Sequence, residues 1–334
     1  MKIDRHKLQT ALEIVRPGLA SKEILEQSTS FAFLGDRVVT YNDEICISHP
    51  IEDIQLRGAV RATELYEFLK RSKNKDLEIK TNDSEIILRA GKSKVGLTMQ
   101  SSIELPLEEV EGDKDWHDLP EEFTHNLMFV KASASNDMSR RVLTCVYISE
   151  HTLQASDGYQ IMRLTQDGWP FRDYLMPAEN IADLHKMEPV QVAESDGWLH
   201  FRNPEGTEMH IRVLLDNYPS TDAHFEVDGE TLVFPKKMID ILDRAMVFTK
   251  RDHVLDEEMK INVKDGKLQV SGKNDYGWFK EIANVEYKGE PTSFWISPTV
   301  LQSILERSEE CVLGTEKLKF DGADWEFVAV LREK

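Results

Sequence analysis

One order of elements recurs along this 334-residue chain, and that repeat limits its fold more than any single motif does. From Gly58 to Met99 the pattern predicts a short strand at Ala59 and Val60, then a helix from Ala62 to about Lys70. Strands at 77–80, 85–89 and 94–99 follow, with Asn82-Asp83 and Gly91 at the turns. From Tyr174 to Leu215 the order returns: Pro177 suits the first turn of a helix over 178–187, ahead of strands at 190–193, 198–201 and 209–214. From Ser293 to Leu331 it returns again. Ser297 is an N-cap before Pro298, the helix covers 299–307, and strands lie at 311–313, 318–320 and 326–331.

Each stretch is preceded by a matching half. Leu8, Leu12 and Val15 have helical spacing before strands at 30–34, 37–40 and 44–48. Leu127 and Val130 open a helix reaching about Asn136, before strands at 144–149, 152–156 and 160–165. Met238, Ile241, Leu242 and Ala245 mark a helical face before strands at 259–263, 267–271 and 278–287. Asp157-Gly158, Asp196-Gly197, Asp265-Gly266 and Asp321-Gly322 fall between strand-like runs, where Asp-Gly makes a hairpin turn. The expectation is an α+β chain of three similar domains, 1–108, 109–228 and 229–334, each with two helices packed on antiparallel sheets. The acidic, proline-bearing 104–122 and the segment 216–231 read as connectors.

The net charge is −19, which by itself argues against phosphate binding. Its distribution argues otherwise. The helical segments 5–16, 61–75, 124–141, 178–187, 235–253 and 298–310 hold 18 Lys or Arg against 12 Asp or Glu, a net of +6, which leaves −25 elsewhere. If the helices share one face, that face is basic, and an acidic exterior keeps the protein soluble. Two helices break the pattern, with 178–187 at −1 and 298–310 at −2. No apolar run nears the ~18 residues of a membrane span, and the N-terminus lacks a signal peptide's apolar stretch, so a cytoplasmic protein without membrane contact is expected. Cys46, Cys145 and Cys311 read as buried thiols in a reducing compartment.

Over essentially its full length the chain resembles the bacterial-type DNA sliding clamp, the beta subunit of DNA polymerase III. The segment Leu143-Thr144-Cys145-Val146-Tyr147-Ile148 … Leu153-Gln154-Ala155-Ser156-Asp157-Gly158-Tyr159-Gln160-Ile161 is similar to the family's strand-turn-strand ending in Ala-Thr-Asp-Gly-His-Arg-Leu. Arg212-Val213-Leu214-Leu215-Asp216-Asn217-Tyr218-Pro219 is similar to its stretch ending in Gly-Arg-Phe-Pro, and Met1-Lys2-Ile3 and the Gly91-Lys92-Ser93-Lys94 turn also match. The resemblance implies a three-domain clamp fold and a head-to-tail homodimer ring around duplex DNA. Its implied partners are a replicative DNA polymerase, an ATP-driven clamp loader and peptide-motif repair proteins. No cofactor is implied.

The helical charge clusters put Arg61, Lys70 and Arg71 on or beside one helix and Lys250 and Arg251 on another, as candidate DNA-facing cations. By position, the resemblance implies DNA contacts at Lys22 and Arg212 and places Arg140 and Arg141 at the end of a pore helix. It implies a ring interface of Lys92, Lys94, Val95 and Leu97 from one protomer against Val247, Phe248 and Glu281 from the other. A partner-peptide pocket would involve Leu143, Ser156, Gly158, Tyr159, Ile161, Val330 and Leu331. The chain departs from the family at Tyr159-Gln160, at its C-terminal Val330-Leu331-Arg332-Glu333-Lys334, and at the third-domain edge, Asp275-Tyr276-Gly277-Trp278-Phe279-Lys280. The ring interface is therefore expected to lean more on apolar contact.

Catalytic signatures are missing from the sequence. It has no phosphate loop, no Gly-x-Ser-x-Gly turn, no His-Glu-x-x-His and no zinc-spaced cysteine pair, so no catalytic group or metal site is expected. His200 and His210 could approach across a hairpin, yet two strand histidines without a third ligand read as surface residues. Two rival readings are a clamp-like scaffold or decoy that does not encircle DNA, and a hydrolase with a carboxylate site in the strand loops.

Overall fold

The computed structural model describes residues 1–51, 54–82, 84–251 and 257–331. Asp83 of the first predicted turn, Asp252 and His253 of the fifth helical segment, and Arg332, Glu333 and Lys334 lie outside the described residues.

Six times among these residues a strand leads into a helix and the helix into a three-stranded meander. The helices are α1 (Arg5–Val15), α2 (Ala62–Arg71), α3 (Phe123–Val130), α4 (Ile181–Met187), α5 (Met238–Thr249) and α6 (Pro298–Leu305). Apolar residues at helical spacing drive them onto the sheets. Leu8, Ala11, Leu12 and Val15 of α1 are buried, as are Ile241, Leu242 and Ala245 of α5. The Ser297 hydroxyl accepts from the Val300 amide at 3.4 Å, the N-cap that the sequence predicts for α6.

The chain condenses into two compact units. The first comprises 1–129, 148–150 and 166–216; the second comprises 130–147, 151–165 and 217–334. In the first, twelve antiparallel strands form one sheet. Consecutive repeats are joined here by exchange of their leading strands. Lys2–Asp4, ahead of α1, pairs with Asp76–Thr81 of the meander after α2, while Leu56–Arg61, ahead of α2, pairs with Ser30–Gly35 of the meander after α1. At Gly58 (φ +136°) a Cβ would lie 2.7 Å from the Gln100 carbonyl oxygen, so glycine is what lets strand Ser93–Gln100 close against Leu56–Arg61. Further along, Ile45–Pro50 pairs with Glu208–Arg212, and the sheet continues through Trp198–Arg202 and Gln191–Ser195 to His117–Asp118.

The second unit repeats the exchange. Gly229–Val233, ahead of α5, pairs with Glu310–Gly314 of the meander after α6, and Thr292–Ile296, ahead of α6, pairs with Met259–Lys264 of the meander after α5. Trp325–Val330 pairs in turn with Gln160–Thr165. In the four-stranded sheet Gly277–Asn284, Lys267–Asn274, Met259–Lys264, Thr292–Ile296, alternation buries Ile261, Val263, Leu268, Val270, Ala283 and Phe294. Asp265 and Gly266 both have positive φ (51° and 68°), the two-residue hairpin turn that Asp-Gly predicts.

The structure corrects several expectations. The helix expected from Leu127 to Asn136 begins at Phe123 and ends at Val130, with a 3-10 turn over Lys131–Ser133. Ser135 and Asp137 end it, because their side chains accept from the Asp137 and Ser139 amides and draw the backbone into turns. Pro177 closes the strand Tyr174–Pro177 and is followed by a 3-10 turn, Ala178–Asn180, before α4. Both supposed connectors contribute strands, His117–Asp118 and the first residues of Gly229–Val233. The three cysteines are buried thiols, as expected.

Candidate functional site

The nominated cations fall into two groups. Lys22 is exposed in the loop beyond α1. Arg61 immediately precedes α2, with its guanidinium 3.2 Å from Glu23. Lys70 and Arg71 are exposed in the last turn of α2, where positive charge also complements the helix dipole. Arg71 lies 2.8 Å from Glu67, and Lys70 lies 5.9 Å from the Tyr66 ring centroid. Arg141, Lys250 and Arg251 are exposed. Ion pairs this exposed hold their partners weakly, so these side chains are available to a phosphate.

Arg140 and Arg212 are committed elsewhere. The Arg140 guanidinium donates to the Asp157 carbonyl oxygen at 2.9 Å and so braces the Asp157-Gly158 turn. Arg212 lies 2.7 Å from Glu109 and 3.1 Å from Asp43, donates to the Tyr41 hydroxyl at 3.1 Å, and stacks 4.5 Å over the Trp198 ring. Burial pushes the Tyr41 hydroxyl up to about 12. It therefore stays protonated and donates to Glu109 at 3.2 Å. Two carboxylates offset the charge that Arg212 could offer a phosphate. Sequence reading missed both, because Asp43 is 169 residues away and Glu109 is 103 residues away.

The nominated pocket residues converge within the second unit. Gln160 and Ile161 pair with Ala329 and Val328, and the Val330 amide donates to the Tyr159 carbonyl at 2.8 Å. The Asp157 carboxylate accepts from the Tyr159 and Gln160 amides at 2.8 and 3.0 Å, and the Ser156 hydroxyl donates to the Gln160 carbonyl, which fixes the turn. Tyr159 and Val330 are exposed, Leu143 is half-buried, and Ser156, Ile161 and Leu331 are buried. Phe225 packs with Ile161 and Val328 in one apolar cluster and lies under Arg163, whose guanidinium is 4.2 Å from its ring centroid. Phe225 was not among the nominated residues, and only its place in the fold connects it to this corner.

Each unit presents an open strand edge beside the nominated interface residues. Ser93–Gln100 pairs along its length with Glu85–Ala90, but on its other side only Met99 and Gln100 meet a strand. Lys92 and Lys94 are exposed there, and Val95 and Leu97 half-buried. Gly277–Asn284 is likewise the last strand of its sheet. Beside it Val247 is exposed, Phe248 stacks on Phe279 at 6.3 Å, and Glu281 is held in a two-point pair by Arg244 at 2.9 and 3.0 Å. Phe279, named in the sequence as part of the third-domain edge, lies on the face of Glu281 by alternation along its strand.

His200 and His210 do meet, but as buried residues: their Nδ1 atoms are 2.8 Å apart, and Ser195 Oγ lies 2.7 Å from His200 Nε2. Burial pushes His200 down to about 3 and His210 well below its ordinary value, so the rings are a neutral hydrogen-bonded pair. Among the described residues no group of three or more His, Cys, Asp or Glu is placed to hold a metal ion. None of the described helices is long and apolar enough to cross a membrane.

The repeated exchange of strands defines a fold, and solved structures share it. No family model and no curated protein matches the sequence. A sliding clamp from Bartonella birtlesii bound to griselimycin superposes with a TM-score of 0.86 at 15% identity, covering 100% of this chain and 99% of that one. The DNA polymerase sliding clamp from Bacillus subtilis gives 0.83 at 16% identity, covering 100% and 98%. The DNA polymerase III beta chain from Streptococcus pneumoniae gives 0.82 at 19% identity, covering 100% and 99%. The chain has the α+β fold of the bacterial DNA polymerase III beta sliding clamps over its whole length, with a widely diverged sequence.

Proposed function

We propose that this chain is a DNA polymerase processivity factor, a sliding clamp of three domains per protomer. Two copies join head to tail through the Ser93–Gln100 edge of one and the Gly277–Asn284 edge of the other, and the ring encircles duplex DNA. The observation that carries the reading is the whole-length likeness, in which this chain covers 98–99% of each clamp compared. The open edges support it, since unpaired backbone groups beside Val95, Leu97, Val247 and Phe248 suit strand addition by a second copy.

The chemistry asked of the chain is modest. A closed ring stays on DNA by topology, so exposed cations such as Lys70, Arg71, Lys250 and Arg251 need only make phosphate contacts that are lost and remade as it slides. The ring holds a polymerase near the primer end by raising its effective concentration. The Tyr159–Val330 corner is where partner peptides dock, with a clamp loader among the partners. The role needs no catalytic group.

The test is retention on DNA. The protein is loaded onto nicked circular plasmid by a clamp loader, and the plasmid is then linearised at moderate and at high salt. Retention on circles at high salt with loss from linear ends is expected. Equal stripping from both forms sinks the ring. A monomer mass in solution, with partner binding intact after Val95→Arg, points to the scaffold reading.

A further inference from the structure

The outer face of the four-stranded sheet in the second unit has a composition opposite to that of the chain. Registry lines up Trp295, Lys260, Ser271 and Lys280 in one row across the four strands. Beside it runs the row Ser293, Asn262, Gln269, Ile282, then Lys264, Lys267 and Asn284. On the other side Lys273 sits opposite Trp278. The face thus presents five lysines and two tryptophans without a carboxylate, in a chain where 60 acidic residues outnumber 41 basic ones. Glu281, the only acid within these strands, is on the opposite face, paired with Arg244 of α5. Acids lie at the rim, among them Asp265 and Asp275 in the two turns, Glu258 ahead of the first strand, and Glu286 and Glu290, and Asp265 is 3.9 Å from Lys264.

Trp278 is 73% exposed, Tyr276 in the adjoining turn is 98% exposed, and Lys260 lies 5.8 Å from the Trp295 ring centroid. Rings left in water among cations, as Trp278 and Tyr276 are, do nothing for the fold, whose core lies on the other side of this sheet, while Trp295 is half-buried beside Lys260. They match a ligand that carries both negative charge and flat apolar faces. We propose that this face binds single-stranded nucleic acid, with bases stacking on Trp278 and Trp295 and the lysines holding the phosphates between them. The two rings are three strand spacings apart, about 14 Å across the sheet, so one strand can span both. Duplex DNA hides its base faces within its own stack and gains only the phosphate contacts. Trp278 and Lys280 stand on the Gly277–Asn284 strand that the ring contact would use, but on the face of the sheet opposite Phe279 and the Glu281–Arg244 pair.

The experiment uses the full chain with a fluorescein-labelled 20-nucleotide oligo-dT and, separately, a linear 20-base-pair duplex, at low salt. Oligo-dT is expected to quench tryptophan fluorescence and to bind at least tenfold more tightly than the duplex. Trp278→Ala should weaken oligo-dT binding tenfold or more, and Lys260→Glu with Lys273→Glu should weaken it further and flatten its salt dependence. The lysine variant should keep its wild-type melting temperature and its retention on nicked circles, which separates this site from the clamp reading. Equal affinity for single strand and duplex overturns the proposal, as does a Trp278→Ala variant that binds like wild type. Polyglutamate binding as tightly as oligo-dT and displacing it would also overturn it, in favour of an acidic peptide.

Discussion

Two four-stranded arrays do the same structural work in this molecule and present different outer faces. In the first unit the array is Lys2–Asp4, Asp76–Thr81, Glu85–Ala90 and Ser93–Gln100. Its outer row reads Lys2, Glu78, Arg89, Lys94, with Asp76, Lys80 and Glu85 nearby, so opposite charges sit side by side and largely cancel. The array in the second unit carries lysines and tryptophans without a facing acid. Their inner faces are interchangeable in kind: Leu77, Ile79, Ile86 and Leu88 in one, Ile261, Val263, Leu268 and Val270 in the other, all buried. The fold constrains alternate residues of each strand and leaves the others to function. Only where the free set departs from a solvated mixture of charges does it report a ligand.

The comparison yields tests in order of size. Emptying either core should cost about the same. Phe294→Ala is expected to lose about 3–5 kcal/mol and Leu88→Ala about 2–5 kcal/mol by urea denaturation. A first-unit cost under about 1 kcal/mol would break the equivalence of the inner faces.

Acid should separate the units. The unfolded chain protonates His200 and His210 near 6.5 and the folded first unit does not, so its stability is complete above that pH and falls as pH drops toward the depressed folded values, about 3 for His200. Lowering the pH from 6.5 to 5 should cost roughly 2 kcal/mol at His200, with His210 adding to the loss, seen as a falling melting temperature. Replacing both rings by valine should flatten that slope, and an unchanged slope would mean that the rings titrate freely. The smallest effects belong to the outer faces. Glu78→Gln and Lys260→Gln should each change stability by less than about 0.5 kcal/mol in thermal melts. A larger loss at Lys260 would give that face a structural role.

Much of this was legible in the sequence because the repeat is local. A helix and the meander after it carry their own periodicities and turn residues, so the Asp265-Gly266 turn and the Ser297 cap were readable within a few residues. The leading strands were harder. Lys2–Asp4 and His117–Asp118 are too short to show alternation, and their partners lie about 75 residues away. The candidate site divides in the same way. Exposed cations on α2 were visible as a cluster, whereas the pairing of Arg212 with Asp43 and Glu109 depends on strands brought together by the fold. His200 and His210 were seen to be neighbours across a hairpin, yet their burial comes from what packs over that part of the sheet.

The exchange of leading strands also sets a timetable for synthesis. The N-terminal amino group donates to the Ile79 carbonyl at 2.7 Å, and Lys2 pairs with Glu78. At about 5–20 residues per second, the first strand waits roughly 4–16 s on the ribosome before its partner has been made. Until then α1 and its meander stand without the edge that closes them. The smallest piece of this chain able to fold as it emerges is therefore two repeats, and a break between them leaves both halves with a strand that belongs to the other.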